Sequence, residues 1–492
     1  MRTYRAKFMS YLYRVFSALL ISSVFMVTPS QAENGGLMTA LQDWADGITL
    51  NGYVKNETAY RFREPRSFTK IRNILYLKTN VPFGDVFEFT ASGWGYYDHA
   101  FDLFNYYTIA ARSERDALQP LNFIENLPEE EDTKVAEIRE FYLDILLDNM
   151  DIRIGKQFVV WGVMTGVRIV DEINPMNFRE LILPDLLDYR VPLWTLKLNY
   201  FGENTDYELL WIPDIQFHKP ALPGSEWELL QEVPGTTFPE TFVFDNSEVG
   251  IKVSRTIWDT EVSFSYFYTW DDFPVIFRQV PVNIQVVDGE VADPVFFPTY
   301  TRMEMYGTTM QRTLFGQVIK GELAYVKGKF FGIGIVDDDQ DGFIDLQGEI
   351  QKDHIRWGIG MDFNVWKTDF SPGLVQWIIL DYDDVIIQDP YDSSFNLFVR
   401  KELPEHGAVF QLLAIYMITL DELYLKPKVI FNVSDHFQIA AGMDLFWGKR
   451  SQTGVAARDG RSVDLVEIEQ QYQFIGNFNN NDRIFLEFKY GF

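Results

Sequence analysis

The stretch VDDDQDGFID, residues 336–345, places Asp337, Asp339, Asp341 and Asp345 around Gly342. That is the order of a calcium loop, in which alternate carboxylates and one backbone carbonyl converge on a hard cation and glycine permits the sharp bend. The carbonyl would come from Phe343, at the seventh position. The twelfth position, which normally supplies a bidentate glutamate, is Gly348, and Glu349 comes one residue late. The expectation is a weak Ca2+ site of the extracellular kind. The alternative is a solvated acidic loop that binds nothing specific. The flanks, ELAYVKGKFF and HIRWGIGMDF, do not read as the helices that usually frame such a loop.

Other catalytic chemistry is thinly represented. The five histidines are His99, His218, His354, His406 and His436, and none belongs to an HExxH or a close ligand pair. No G-x-S-x-G elbow is present. There is no cysteine, and the formal net charge is −28. So acidic a chain lacks the basic patches of a nucleic-acid binder and fits solvated acidic loops, divalent cations or an anionic exterior.

The elements that carry these residues are strands. Residues 1–32 read as a secretory signal: Arg2, Arg5, Lys7 and Arg14, then the apolar VFSALLISSVFMV, then small residues up to Ala32. Cleavage there takes the net charge from −28 to −32. Residues 33–47 read as a short periplasmic segment, and 48–492 as the folded domain. No later apolar run is long enough for a transmembrane helix. Instead, HIRWGIGMDFNV alternates Ile355, Trp357, Ile359, Met361, Phe363 and Val365 with Arg356, Gly358, Gly360, Asp362 and Asn364. LWTLKLNY and FQIAAGMDLFW alternate in the same way, with Lys197 and Asp444 on the polar parity. Strict period two gives a strand two unlike faces. In a soluble barrel the apolar parity packs a core; in a membrane barrel it meets lipid and the polar parity lines a wet lumen.

The C-terminal RIFLEFKYGF alternates too, and ends on Phe492, the type of signal read by the barrel assembly machinery of the outer membrane. Lipid offers no hydrogen bonds, so such a sheet must close on itself. The reading is therefore all-β: a closed antiparallel transmembrane β-barrel of about 18 strands, with 14–18 compatible. Its periplasmic turns are short and its external loops long, and the two are expected to alternate strictly. The acidic loop at 336–349 then lies outside the cell.

The segment GVMTGVRIVDEINPMNFRELILPDLLDYRVP, residues 162–192, is an apolar loop on the external side. Asn174 is placed to cap a helix with Pro175 in its first turn, Phe178, Leu181 and Ile182 on one face, and Pro184 as the stop. A greasy loop there has two refuges, the lumen or a cap over the mouth, and the lumen is the preferred one. Arg168, Asp171, Glu172, Asn174, Arg179, Glu180, Asp185, Asp188 and Arg190 would then decorate a constriction, facing lumen residues such as Lys197 and Arg356. Charges within strands, such as Arg72, Glu322 and Lys489, read as paired lumen residues or as a binding track. Trp161, Trp270 and Trp447 read as interface girdle.

The run RIGKQFVVWGVMTGVRIVDEINPMNFREL, with DYRVPLWTLKLNYF and ELLWIPD after it, resembles a Gram-negative outer-membrane family catalogued as domain-of-unknown-function 1302. NGYVKNETAYRF and GMDLFWG are similar too. Where the family pattern has an acid before Gly166, this chain has Thr165. The resemblance implies an outer-membrane barrel, often encoded near export-type pumps and a second envelope protein, and no settled substrate.

Three functions follow as expectations. The first is a porin-like channel for small, hydrophobic or amphipathic solutes, its selectivity set by lumen width, charge and the inward loop. The second is a barrel component or sheath of an envelope-spanning complex. The third is an outer-membrane hydrolase. The implied partners are outer-membrane lipid and lipopolysaccharide, the assembly machinery, a small solute and a periplasmic protein. Apart from Ca2+, no cofactor is implied.

Overall fold

The structure, a computed structural model, describes residues 47–104, 109, 133–221, 225–227, 236–279, 295–333, 348–449 and 473–492. The acidic loop at 337–345 and the signal at 1–32 lie outside the described residues.

In chain order the strands are β1 (Thr49–Arg61), β2 (Ser67–Phe83), β3 (Phe87–Asp98), β4 (Lys134–Leu147), β5 (Met150–Gln157), β6 (Leu193–Phe201), β7 (Asp206–Ile212), β8 (Glu248–Ile257), β9 (Thr260–Trp270), β10 (Val275–Gln279) and β11 (Val295–Thr299). Then come β12 (Arg302–Leu314), β13 (Gln317–Gly332), β14 (Glu349–Val365), β15 (Thr368–Ile379), β16 (Tyr391–Leu403), β17 (Ala408–Met417), β18 (Glu422–Asn432), β19 (Phe437–Trp447) and β20 (Arg483–Gly491). Eighteen of them form one antiparallel sheet in which each strand pairs with its chain neighbours. The β10–β11 hairpin stands apart, so β9 pairs directly with β12. β1 pairs with β20 from Tyr53↔Gly491 to Arg61↔Arg483, and this pairing closes the cylinder. Gly52 and Phe492 exchange backbone hydrogen bonds of 2.9 and 3.0 Å at the seam.

The side-chain parity is the one that the alternation implies. Ile484, Leu486, Phe488 and Tyr490 are exposed on the outer face of β20, while Arg483 is buried on the inner one. On β14, Ile359 is exposed outward and His354 and Arg356 are buried inward. The molecule is thus a transmembrane barrel with an apolar exterior. Its eight joints at the end that holds both termini are short turns. Strict alternation fails at the other end, where Phe62–Arg66 and Ile418–Asp421 are also short. Register and closure, not connection length, decide the side there.

Two expectations about the aromatics and the lumen are corrected. Trp161 is 2% exposed and packs inside the barrel against Phe267, so it is no girdle residue. Among the described residues the most exposed aromatics are Trp258, Phe315 and Trp366, at 87, 101 and 88%, on the tips of short turns. Nor is the lumen uniformly wet. Inward-facing Leu210, Phe267, Met305, Ala324, Val326 and Val375 form a dry core with residues of the 158–173 segment.

Candidate functional site

Residues 158–192 leave β5 and return to β6 by way of the barrel interior. The first half packs on one wall. Ile169 and Val170 join the dry core, and the inner wall makes room for them with glycines. A Cβ on Gly358 would lie 2.3 Å from the Ile169 Cδ1, and one on Gly307 would lie 2.6 Å from a Val170 methyl. A larger residue at either position would force these side chains to shift. Gly358 shares a parity with Arg356 that the sequence marks as wet; its role is close approach of the loop.

Carboxylates then fix the loop's backbone. Glu322, on the inner face of β13, accepts from the N–H groups of Val163, Met164 (2.7 Å) and Val170 (3.0 Å). Arg356 donates to Glu172 at 2.7 Å and to the His354 Nε2 at 2.8 Å. Thr165, which stands where the family pattern has an acid, accepts from Lys320 at 3.1 Å, and Lys320 also pairs with Asp362.

The second half crosses to the opposite wall. Glu180 pairs with Lys70 and Arg72 of β2 and lies 3.9 Å from Arg483 of β20. Leu181 and Leu183 pack with Tyr424 of β18 and Phe446 of β19. The loop is therefore held from β13–β14 on one side and from β18–β20 and β2 on the other. Burial alone would raise the Glu180 carboxyl, but Arg72, Lys70 and Arg483 outweigh it and hold it at about 2. A depressed carboxylate contributes stability that is fully present above its unfolded pKa of about 4.3 and is lost as pH falls through the folded value. The Glu180 anchor is therefore expected to hold through pH 4 and to weaken toward pH 2, read as conductance against pH.

The loop carries short helical turns, but not the helix expected to start at Asn174 and Pro175. Residues 175–183 form one turn of 3-10 helix, Phe178–Glu180, capped by the Asn177 side chain, which accepts from the Arg179 N–H. A second short helix spans Leu186–Tyr189. The backbone bonds that a helix would need are spent between the two arms of the loop. Asn177 N–H donates to the Tyr189 carbonyl at 2.6 Å, and Val191 N–H to the Pro175 carbonyl at 2.8 Å. Asn174 caps nothing. It is fully buried, accepts from Val159 N–H at 2.8 Å and donates to the Val191 carbonyl at 2.9 Å, tying entry to exit.

The candidate residues thus divide. Arg168 donates to the carbonyls of Asp171 and Asn174, and Arg190 pairs with Asp171 in a buried contact. With Asn174 they knit the loop and do not decorate an opening. Glu172 and Glu180 anchor it. Arg179, Asp185 and Asp188 line a cleft between the loop and the strand wall. Lys197 faces inward on β6, in register with Arg153 and away from the loop tip. Sequence reasoning missed Lys55, Glu57, Lys70 and Lys426 as cleft residues. Their inward parity was legible, but their nearness to the loop depends on barrel closure. Among the described residues no cluster of His, Asp and Glu is built to hold a metal ion.

A family model described as "Protein of unknown function (DUF1302)" matches residues 66–346. No curated protein matches the chain. Among solved structures, OccK9 (OpdG) of Pseudomonas aeruginosa is similar at 8% identity and TM-score 0.48, covering 91% of this chain and 99% of that one. OccAB3 of Acinetobacter baumannii has the same identity and coverages with TM-score 0.47. OpdK of Pseudomonas aeruginosa, solved with vanillate, is 7% identical with TM-score 0.45, again over 91% and 99%.

Proposed function

This chain belongs to the DUF1302 family, whose description assigns no function, and from the geometry we propose that it is a porin-like channel of the Gram-negative outer membrane, narrowed by the 162–192 loop and passing small amphipathic solutes. The observation that carries this reading is the loop's course from Glu322 and Arg356 to Arg72 across the interior, with a side-chain-lined cleft left beside it. An apolar exterior and a charged interior suit a wall that keeps lipid out and water in. A loop held by buried ion pairs on two walls is a fixed constriction, and such an opening sorts solutes by width and by its lining charges. The chemistry proposed is therefore binding and passage, with no catalytic step.

Reconstitution of the mature chain in planar bilayers tests it. A steady ohmic current is expected. A barrel that inserts and stays electrically silent, yet retains a periplasmic protein, would overturn the channel in favour of the sheath.

A further inference from the structure

The cleft beside the loop is balanced in total charge and unbalanced across its width. Its lining holds six cationic and six carboxylate side chains, so its sum favours neither ion sign. On the loop wall, however, Arg179 stands against Glu180, Asp185 and Asp188, a net −2. The facing strand wall has five cations against three carboxylates, a net +2.

Pairing sharpens the contrast. Glu57 is bridged by Lys55 and Lys70, Glu487 by Lys428 at 3.0 Å, and Asp444 by Arg483 at 2.7 Å. Those charges are largely neutralised where they stand. The Asp185 and Asp188 carboxylates make no ion pair or side-chain hydrogen bond within the described residues; only their backbone carbonyls are used, by Tyr189 N–H and by Arg139. Burial pushes the Asp188 carboxyl up, and Lys55 opposite offsets this only in part. Within the described residues Lys426 of β18 makes no ion pair; it reaches over the cleft and donates to the Leu183 carbonyl on the loop. Burial would raise the Asp185 carboxyl, but Lys426, Lys428 and Lys55 together lower it. Two anionic groups and one cationic group thus line the cleft with no ion pair of their own within the described residues.

We propose that this cleft is a binding site for a dipolar solute, one with a cationic end that pairs with Asp185 and Asp188 and an anionic end that pairs with Lys426. A solute of single charge satisfies one wall and meets its own sign on the other, so it gains less. The inference rests on the channel reading and names its substrate class.

The test is uptake of four labelled probes of one size into proteoliposomes holding the full mature chain. They are γ-aminobutyrate, its amide, the anion 4-hydroxybutyrate and the neutral 4-hydroxybutyramide. Wild type is expected to take up the zwitterion several-fold faster than the neutral probe. Asp185→Asn with Asp188→Asn is expected to abolish that ratio, and Asp188→Glu alone to retain it. Heat-modifiable gel mobility confirms that each variant is a folded barrel. If the neutral probe enters but the zwitterion has no advantage, or if the double variant keeps the ratio, this inference fails and the channel stands. If no probe enters, the channel reading fails and takes this one with it.

Discussion

Excising residues 177–188 and rejoining Met176 to Tyr189 through two glycines is expected to raise single-channel conductance several-fold. The cut is geometrically mild, because the two arms of the loop already touch. Met176 and Arg190 form an antiparallel bridge, and the Asn177 N–H reaches the Tyr189 carbonyl at 2.6 Å. The excision removes Arg179, Glu180, Leu183, Asp185 and Asp188, and with them the loop side of the cleft except Tyr189. It leaves Val159, Trp161, Ile169 and Ile173 in their dry core, so the first half of the loop keeps its seat. The cations that lose Glu180 retain partners: Lys70 keeps Glu57, Arg72 keeps Asp98 at 3.4 Å, and Arg483 keeps Asp444. With water admitted beside them, the strand wall stays solvated and the barrel closed. An unchanged conductance would place the conducting path elsewhere than this cleft.

The second large effect is expected at Glu322. Its two oxygens take three backbone N–H groups of the loop, and its side chain is buried. Glu322→Ala strands all three donors. A buried donor without a partner costs about 1–3 kcal/mol, so the loop's docking is expected to weaken by about 3 kcal/mol or more, after any water that enters. The measurements are protease cleavage within 158–192 of the folded, detergent-held protein, and gating noise in the single-channel record; both are expected to rise. Glu322→Gln is expected to fall between. Its oxygen can still serve Val163 and Met164, but its amide meets the Val170 N–H donor to donor. A wild-type record for the alanine variant would mean that apolar packing alone seats the loop.

How much of this was legible beforehand depends on the range of the interaction. Alternation in HIRWGIGMDFNV and RIFLEFKYGF marks the lipid side residue by residue, because a pleated strand sends neighbours to opposite faces. From that followed the strands, their closure and a count that the eighteen-stranded sheet matches. The apolar residues of the 162–192 segment favour an inward course over a cap on the mouth. Its local conformation was misread, because Asn174 and Pro175 do form a helix start on local preference. Bonds between the two arms, absent from any local window, won instead.

Which face of each strand meets oil is written in single residues and their spacing. Which inward residues meet one another depends on how the cylinder closes. Glu180 finds Arg72, and Glu322 finds the Val170 N–H, across 108 and 152 residues of chain. Those encounters exist because a closed cylinder brings distant strands to opposite sides of one narrow space. Trp161, which the strand-end pattern assigned to the rim, lies inside for the same reason: the loop that carries it turns into that space, and an aromatic ring is best covered where other apolar groups already wait.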